Sequence, residues 1–197
     1  SLLKERKPLA LALSGGVDSG LLLAVAREVL GEELTVLTSI CDLHSQRELS
    51  GARHLAEQLG ARHIRVESAR LQDASLTANA RDRCYLCKRI MWQECRAAAS
   101  SLGISCLLDG VNADDLHEFR PGLTAGKEMG VFSPLAEAGL GKQEVRALAR
   151  DMGLSFWDKP ANSCLATRIP HGTKITLERL RMIDQAETVL LEMGVRQ

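Results

Sequence analysis

The sequence predicts an α/β protein built on a parallel five-stranded sheet with helices on both faces. Two observations lead to this fold class. Short apolar segments alternate with longer segments of helical periodicity along the 197 residues. The short segments are also continuous apolar runs, as in strands that are buried on both faces of a parallel sheet. We find no internal repeat, and the length suits one sizeable core with a small appended piece.

The elements follow in order from these patterns and from the glycines that end several of them. The predicted strands cover residues 8–14, 34–40, 63–67, 104–109 and 154–157. The predicted helices cover residues 19–30, 46–59, 84–100, 142–152 and 176–193. Residues 112–130 are polar and rich in Asp and Gly, so we expect an irregular segment there. In such a sheet, ligands bind at the carboxyl ends of the strands.

Composition narrows the class of partner. The chain has 25 basic and 25 acidic residues and a formal net charge of zero, which argues against a general nucleic-acid binder. No apolar stretch is long enough for a membrane span, and the N-terminal residues do not resemble a signal peptide. The six cysteines are therefore expected to be reduced thiols in a cytoplasmic protein, and not a disulfide framework.

The segment Ser14-Gly-Gly-Val-Asp-Ser19 lies between the first predicted strand and helix. Consecutive glycines let backbone N–H groups converge, and the N-terminus of the following helix adds partial positive charge, so this turn suits a phosphate. Ser14 and Ser19 can donate hydroxyl hydrogen bonds, while Asp18 could orient a metal ion or cap the helix. The segment is neither a Walker A loop nor a GxGxxG turn. The alternative is a tight turn with a polar cap.

Three cysteines form a second candidate site. Cys84 and Cys87 make a CxxC at the start of a predicted helix, and Cys164 follows the predicted fifth strand. Three thiolates can hold three irons of a [4Fe–4S] cluster and leave the fourth iron open. Alternatively, these cysteines with His171 could bind zinc, or the CxxC and Cys164 could be unrelated. The other cysteines lie in strand or helix segments, where we expect them to be core residues: Cys41, Cys95 and Cys106.

The turn SGGVDS resembles the SGGxDS loop of the PP-loop ATP pyrophosphatases, which holds the pyrophosphate end of ATP. Further stretches resemble one branch of that superfamily, the LarE-type ATP-dependent sulfur transferases. These stretches are Leu108-Asp109-Gly110, residues 119–123, 144–149 and 157–160, Ser163-Cys164, and residues 168–172. The resemblance extends over nearly the whole chain. It implies a PP-loop ATP-binding domain over residues 1–159. Residues 160–197 would begin a C-terminal sulfur-transfer and substrate segment that normally continues further.

The resemblance also implies a reaction. The substrate would be pyridinium-3,5-biscarboxylic acid mononucleotide, used in nickel-pincer cofactor synthesis. ATP with Mg²⁺ would adenylate a ring carboxylate, and a sulfur nucleophile would convert it to a thiocarboxylate. In one variant of the family, Cys164 gives up its own sulfur and becomes dehydroalanine. In the other, Cys84, Cys87 and Cys164 hold a [4Fe–4S] cluster that delivers bound sulfide, and the intact CxxC favours this variant. A homo-oligomer is also implied.

Several residues are candidates for nucleotide, metal or substrate contacts because of their motif or their place at the sheet edge. For ATP and substrate they are Ser14, Gly15, Gly16, Val17, Asp18, Ser19, Gly110, Lys88, Arg120 and Arg168. Asn112, Asp114 and Asp115 follow the fourth predicted strand, where they suit either nucleotide and metal contacts or a solvated turn. Arg120 suits bidentate binding of phosphate or carboxylate, or a surface ion pair.

The sequence leaves three other functions open. A tRNA-thiolating enzyme shares the loop and the cysteines, but the neutral charge does not favour it. A PP-loop ligase or amidotransferase would use the adenylate with ammonia and would not need the cysteines. A nucleotide-sensing module with structural zinc would not be an enzyme.

Overall fold

A computed structural model describes residues 2–118 and 120–195 of the chain. Its four parallel strands lie in the order β3-β2-β1-β4, with Leu9 opposite both Leu34 and Cys106. The strands are β1 (Leu9–Ala12), β2 (Leu34–Ile40), β3 (Arg62–Glu67) and β4 (Cys106–Leu108). The predicted α/β class with a parallel sheet is confirmed.

Eight α-helices surround this sheet in the described part of the chain. They are α1 (Val17–Leu30), α2 (Gln46–Gln58), α3 (Ala74–Thr77), α4 (Arg83–Ser100), α5 (Pro121–Glu128), α6 (Pro134–Glu137), α7 (Lys142–Asp151) and α8 (Leu177–Glu192). Local sequence signals explain where three of these helices begin. Ser45 and Glu48 form a capping box at the N-terminus of α2, and α5 and α6 begin with proline. None of the helices described is long and apolar enough to cross a bilayer.

Alternate residues of the strands supply two apolar cores, one on each face of the sheet. Leu9 and Leu11 of β1 pack with α1, α2 and α7 on one face. Ala10 packs on the other face with Met91 and Trp92 of α4. This alternation follows from the period of two in a strand, and it explains why the strand segments are apolar throughout.

The predicted fifth strand at 154–157 is wrong. These residues form a turn in which the Trp157 N–H donates to the Leu154 carbonyl at 3.2 Å. Leu154 and Phe156 are apolar because they pack against the core beside α1 and α7, not because they lie in a sheet. The edge of β4 instead makes a single parallel bridge from Leu108 to Phe132.

The segment 112–130 is less irregular than predicted, because it contains α5. Pro121 stands at the first turn of this helix, where a missing N–H costs nothing. Its small residues allow close packing on α4: a Cβ on Gly126 would lie 3.3 Å from Trp92 Nε1. Tertiary packing therefore stabilises a helix whose composition does not favour one. Phe119, part of the motif at 119–123, lies outside the described residues.

The strand order places a topological switch between β1 and β4. The chain moves outward from β1 through β2 to β3, then returns to the other side of β1 as β4. At such a point the connections leave in opposite directions, and a crevice opens at the carboxyl ends of the two strands. The SGGVDS turn after β1 and Gly110 after β4 both lie at this crevice.

A third apolar cluster lies beyond the carboxyl end of β2. It joins Cys41 and Leu43, which follow β2, to Leu165, Ile169 and Leu180. The Leu165 N–H donates to the Leu43 carbonyl at 2.9 Å, so the segment carrying Cys164 is tied to the sheet edge. The cluster therefore brings the sequence after residue 160 to the same edge as the PP-loop. The domain division at 159/160 stays a prediction.

His44 beside this cluster supplies a test by pH. Burial, and then the charges of Arg70 and Lys88, lower its pKa to about 4 from 6.5. The folded protein therefore holds a neutral imidazole that the unfolded chain would protonate, and stability should fall as pH drops from 6.5 toward 4. We expect a loss of about 2 kcal/mol between pH 7 and pH 5 from this group in urea unfolding. The H44Q variant should lack this part of the stability loss at low pH. An unchanged pH dependence of unfolding in H44Q would contradict the role of His44.

Candidate active site

The turn between β1 and α1 presents backbone N–H groups at the carboxyl end of a central strand. Gly15 has a φ of +76°, which L side chains rarely adopt, and a Cβ there would lie 3.1 Å from the Ala52 nitrogen. Gly16 is the N-cap of α1 and has no side chain that could cap the helix. The first N–H groups of this 14-residue helix are therefore available to an anion.

The two serines of the loop have different roles. Ser14 is exposed, and its hydroxyl lies 3.0 Å from that of Ser19 and 3.4 Å from the Gly16 nitrogen. Ser19 is buried, and its hydroxyl can donate to the Gly16 carbonyl at 3.3 Å. Ser14 can thus reach a ligand, whereas Ser19 holds the loop in shape. The Val17 side chain lies in the core, so only its backbone faces the site.

Asp18 is held by side chains from two other elements. Asn112, which is only 3% exposed, donates from Nδ2 to Asp18 Oδ1 at 3.0 Å. Lys142 at the start of α7 places its amine 2.5 Å from Asp18 Oδ2. Both carboxylate oxygens are therefore engaged, and Mg²⁺ at Asp18 would have to take the place of the Lys142 amine. Sequence reasoning missed Lys142, since no local pattern distinguishes it from other helix-opening lysines.

Gly110 brings the end of β4 against the first turn of α1. A Cβ on Gly110 would lie 2.7 Å from the Ser19 backbone nitrogen, closer than real Cβ atoms approach. The neighbouring Asp109 is largely buried, and this burial raises the pKa of its carboxyl group. The Val111 N–H donates to Asp109 Oδ1 at 3.1 Å. This carboxyl therefore shapes the turn after β4.

The acidic residues after β4 mainly organise that loop. Asn112 and Asp115 exchange backbone-to-side-chain hydrogen bonds of 3.1 Å each. Asp114 accepts from the Lys142 backbone N–H at 2.7 Å and so supports the start of α7. Arg120 pairs with Asp115 at 2.6 Å and with Glu118. Asn112 thus reaches the PP-loop, whereas both aspartates stabilise their own surroundings.

The cysteines of the CxxC lie near Cys164. Cys84 is exposed at the start of α4, while Cys87 and Cys164 are half-buried against the third cluster. Burial raises the pKa of Cys164, the Arg83 charge lowers it, and the charges of Cys87 and Cys84 raise it. This coupling indicates that the three thiols are neighbours.

The three thiols nevertheless do not form a site for a single metal ion among the described residues. Among residues 2–118 and 120–195, no group of three or more His, Cys, Asp or Glu side chains is arranged to hold a metal ion. The [4Fe–4S] cluster expected on Cys84, Cys87 and Cys164 stays a prediction, because its cysteines would bind separate irons and not share one ion. His171 does not complete a zinc site with them either.

Two buried arginines support the cysteine region. Arg70, which is 1% exposed, donates to Cys87 Sγ at 3.3 Å, and Arg83 donates to Cys84 Sγ at 3.7 Å. Arg83 also donates to the Ala166 carbonyl at 2.9 Å, which ties α4 to the segment that follows Cys164. Sequence reasoning missed Arg70, because nothing in the polar stretch around this arginine indicates that its side chain is buried.

The predicted substrate-binding cations lie at the surface. Lys88 is exposed one residue after Cys87. Arg168 follows Cys164 by four residues, hydrogen-bonds Ser163 and pairs with Glu187 at 2.6 Å. Both are near the cysteines in sequence and could meet an anionic substrate there.

The chain is similar to one protein family model and to several known proteins. Residues 1–119 match the asparagine synthase family model. The chain is 35% identical to the pyridinium-3,5-bisthiocarboxylic acid mononucleotide synthase of Lactiplantibacillus plantarum, over 98% of this chain and 70% of that protein. It is 41% identical to an uncharacterized protein of Synechocystis sp., over 95% of this chain and 70% of the relative. An uncharacterized protein of Methanocaldococcus jannaschii is 30% identical over 95% of this chain and 72% of the relative.

The matches to the three relatives extend over nearly the whole chain. The structure agrees with these matches, because it has the PP-loop turn, the parallel sheet and the switch point between β1 and β4. The chain therefore belongs to the LarE-type ATP-dependent sulfur transferases of the PP-loop ATP pyrophosphatase superfamily.

Proposed function

We propose that the chain uses ATP to activate a ring carboxylate of pyridinium-3,5-biscarboxylic acid mononucleotide and replaces an oxygen by sulfur. The product would be a thiocarboxylate for nickel-pincer cofactor synthesis. The proposal is supported by the combination of an uncapped helix N-terminus with three neighbouring thiols. This combination occurs in a chain that is similar to a bisthiocarboxylic acid mononucleotide synthase. The cytoplasmic location and the homo-oligomer expected from the sequence belong to the same proposal.

The first step is adenylation of the carboxylate. Its oxygen attacks the α-phosphorus of ATP, the bond to the bridging oxygen breaks, and pyrophosphate leaves. The N–H groups of Gly15 and Gly16, the first turn of α1 and the Ser14 hydroxyl would stabilise the charge that develops on pyrophosphate. Mg²⁺ would neutralise the remaining phosphate charge, and Asp18 is the proposed residue to hold it.

The second step is sulfur transfer from Cys164. Its thiolate attacks the activated carbonyl carbon, a C–S bond forms, and AMP leaves. A base then removes the Cys164 α-proton, the Cβ–S bond breaks, and the thiocarboxylate departs, leaving dehydroalanine. Arg83 favours the thiolate, and Lys88, Arg120 and Arg168 are proposed to bind the anionic substrate.

Substrate-dependent exchange between ATP and labelled pyrophosphate tests the activation step. We expect exchange with the biscarboxylic acid mononucleotide and none with a mononucleotide that lacks a ring carboxylate. Mass spectrometry should then detect the thiocarboxylate, with loss of H₂S from the peptide that contains Cys164. An amide product formed with ammonia would indicate a ligase instead. Tight, salt-sensitive tRNA binding would indicate tRNA thiolation.

Iron and sulfide analysis after anaerobic purification tests the predicted cluster separately. If Cys164 is the sulfur donor, we expect an iron-free protein that loses sulfur from Cys164 once per turnover. Iron and sulfide that disappear when Cys84, Cys87 or Cys164 is replaced would establish the cluster. Such a result would replace Cys164 as the sulfur source.

A further inference from the structure

Lys159 contacts the PP-loop from a distant part of the chain. Its Nζ donates to the Gly15 carbonyl oxygen at 2.6 Å across 144 positions of sequence. The side chain is half-buried; burial lowers the pKa of its amine, while Glu48 raises it. A charged donor placed on a single backbone carbonyl forms one of the stronger classes of protein hydrogen bond.

The contact determines which way one peptide group of the loop faces. The Gly15 carbonyl and the Gly16 N–H belong to one trans peptide, so they point in opposite directions. With the carbonyl directed at Lys159, the Gly16 N–H is directed at the exposed Ser14 hydroxyl, on the side where an anion would bind. Rotation of this peptide would turn a carbonyl oxygen toward the anion and repel it.

Other contacts hold Lys159 in place. Arg146 of α7 donates to the Lys159 carbonyl at 2.9 Å, and the Lys159 N–H donates to the Phe156 carbonyl at 3.1 Å. The Phe156 ring packs so tightly on α1 that a Cβ at Gly20 would lie 2.5 Å from it. The backbone around Lys159 is therefore anchored to the helix that follows the PP-loop.

We propose that Lys159 is a positioning residue that keeps the Gly15–Gly16 peptide in its phosphate-binding orientation and links this loop to the segment carrying Cys164. Only four residues separate Lys159 from Cys164. Phosphate occupying the loop would therefore restrain the start of the sulfur-bearing segment. The inference rests on the proposed use of ATP, and it assigns Lys159 no contact with the reacting atoms.

Calorimetric binding of inorganic pyrophosphate to K159M tests the first half of this inference. We expect binding about tenfold weaker than for the wild-type protein, since one charge-assisted hydrogen bond is lost. The kcat of ATP–pyrophosphate exchange should fall by a similar factor, while the KM for the carboxylate substrate stays within about twofold. K159R, which retains a donor, should recover most of the binding. K4M is the matched control, because Lys4 is exposed and precedes β1, at the opposite end of that strand.

The link between the PP-loop and the segment carrying Cys164 is tested by alkylation of Cys164, followed by peptide mass spectrometry. ATP should change the alkylation rate in the wild-type protein and in K4M, and this response should be lost in K159M. Thermal unfolding of all variants separates positioning from folding: a K159M protein with an unchanged Tm and weaker binding supports the inference. Wild-type binding in K159M, or K159R as weak as K159M, would overturn it. Absence of pyrophosphate and ATP binding in the wild-type protein would overturn the proposed function itself.

Discussion

Replacing Cys164 with serine is expected to abolish thiocarboxylate formation and to leave ATP–pyrophosphate exchange intact. Exchange needs the PP-loop, α1 and the substrate carboxylate, and none of these includes the Cys164 sulfur. The second step needs a sulfur atom that can attack and then leave its own Cβ. A serine hydroxyl is a poor nucleophile at neutral pH and supplies no sulfur, so we expect a loss on the order of 10³-fold or more.

Cys106→Ser is the matched control for this experiment. Cys106 is also half-buried, and burial raises the pKa of its thiol as it does for Cys164. It lies at the beginning of β4, away from the carboxyl edge of the sheet. Product should form normally in this variant. Full sulfur transfer by C164S would contradict the proposed donor, and loss of exchange in C164S would show that the substitution damages more than the sulfur step.

Gly110→Ala is expected to destabilise the folded protein, because the new methyl group would clash with the first turn of α1. The added Cβ would lie 2.7 Å from the backbone nitrogen and 2.9 Å from the Cα of Ser19. These are backbone atoms in the first turn of a buried helix, so the strain cannot be relieved by a side-chain rotation. Overpacking of this kind typically costs about 1–3 kcal/mol. We expect Tm to fall by about 3–10 °C and pyrophosphate binding to weaken as α1 shifts.

Gly51→Ala is the control for Gly110→Ala. Gly51 lies inside α2, and its new Cβ would meet only Lys159 Nζ at an ordinary 3.6 Å. Alanine is the better helix former, so the free energy of unfolding should stay constant or rise by up to about 1 kcal/mol. Chemical denaturation of both variants beside wild type makes the comparison. Equal stability of G110A and wild type would contradict the close approach of β4 to α1.

The predicted elements that matched best are those whose signal is local. Helix α2 has a capping box at Ser45 and Glu48, and α1 follows an apolar strand and ends at Gly31. The structure of residues 154–157 was harder to predict, because a short apolar run has the same composition in a strand and in a turn that packs on the core. Whether Leu154 and Phe156 pair or merely pack depends on what occupies the edge of β4, and that neighbour is Phe132.

The candidate site divides in the same way. SGGVDS is contiguous, so its small residues, its carboxylate and the following helix could be interpreted together from the sequence. Lys142 and Lys159 could not, because each meets the loop through a long-range contact that no nearby residue reports. Arg70 was missed for the opposite reason: it is nearly fully buried although arginine is usually exposed.

By itself, the sequence determined the α/β class, the phosphate-binding turn, the three cysteines and the family to which the chain belongs. These depend on residue type and short spacing, which the chain carries whatever its fold. The tertiary structure alone decided that Asp18 is paired with Lys142, that the Gly15 carbonyl is held by Lys159, and that Cys164 lies near the CxxC without forming a metal site among the described residues. Such facts are distances between remote segments, and only the packing of helices on the sheet sets them.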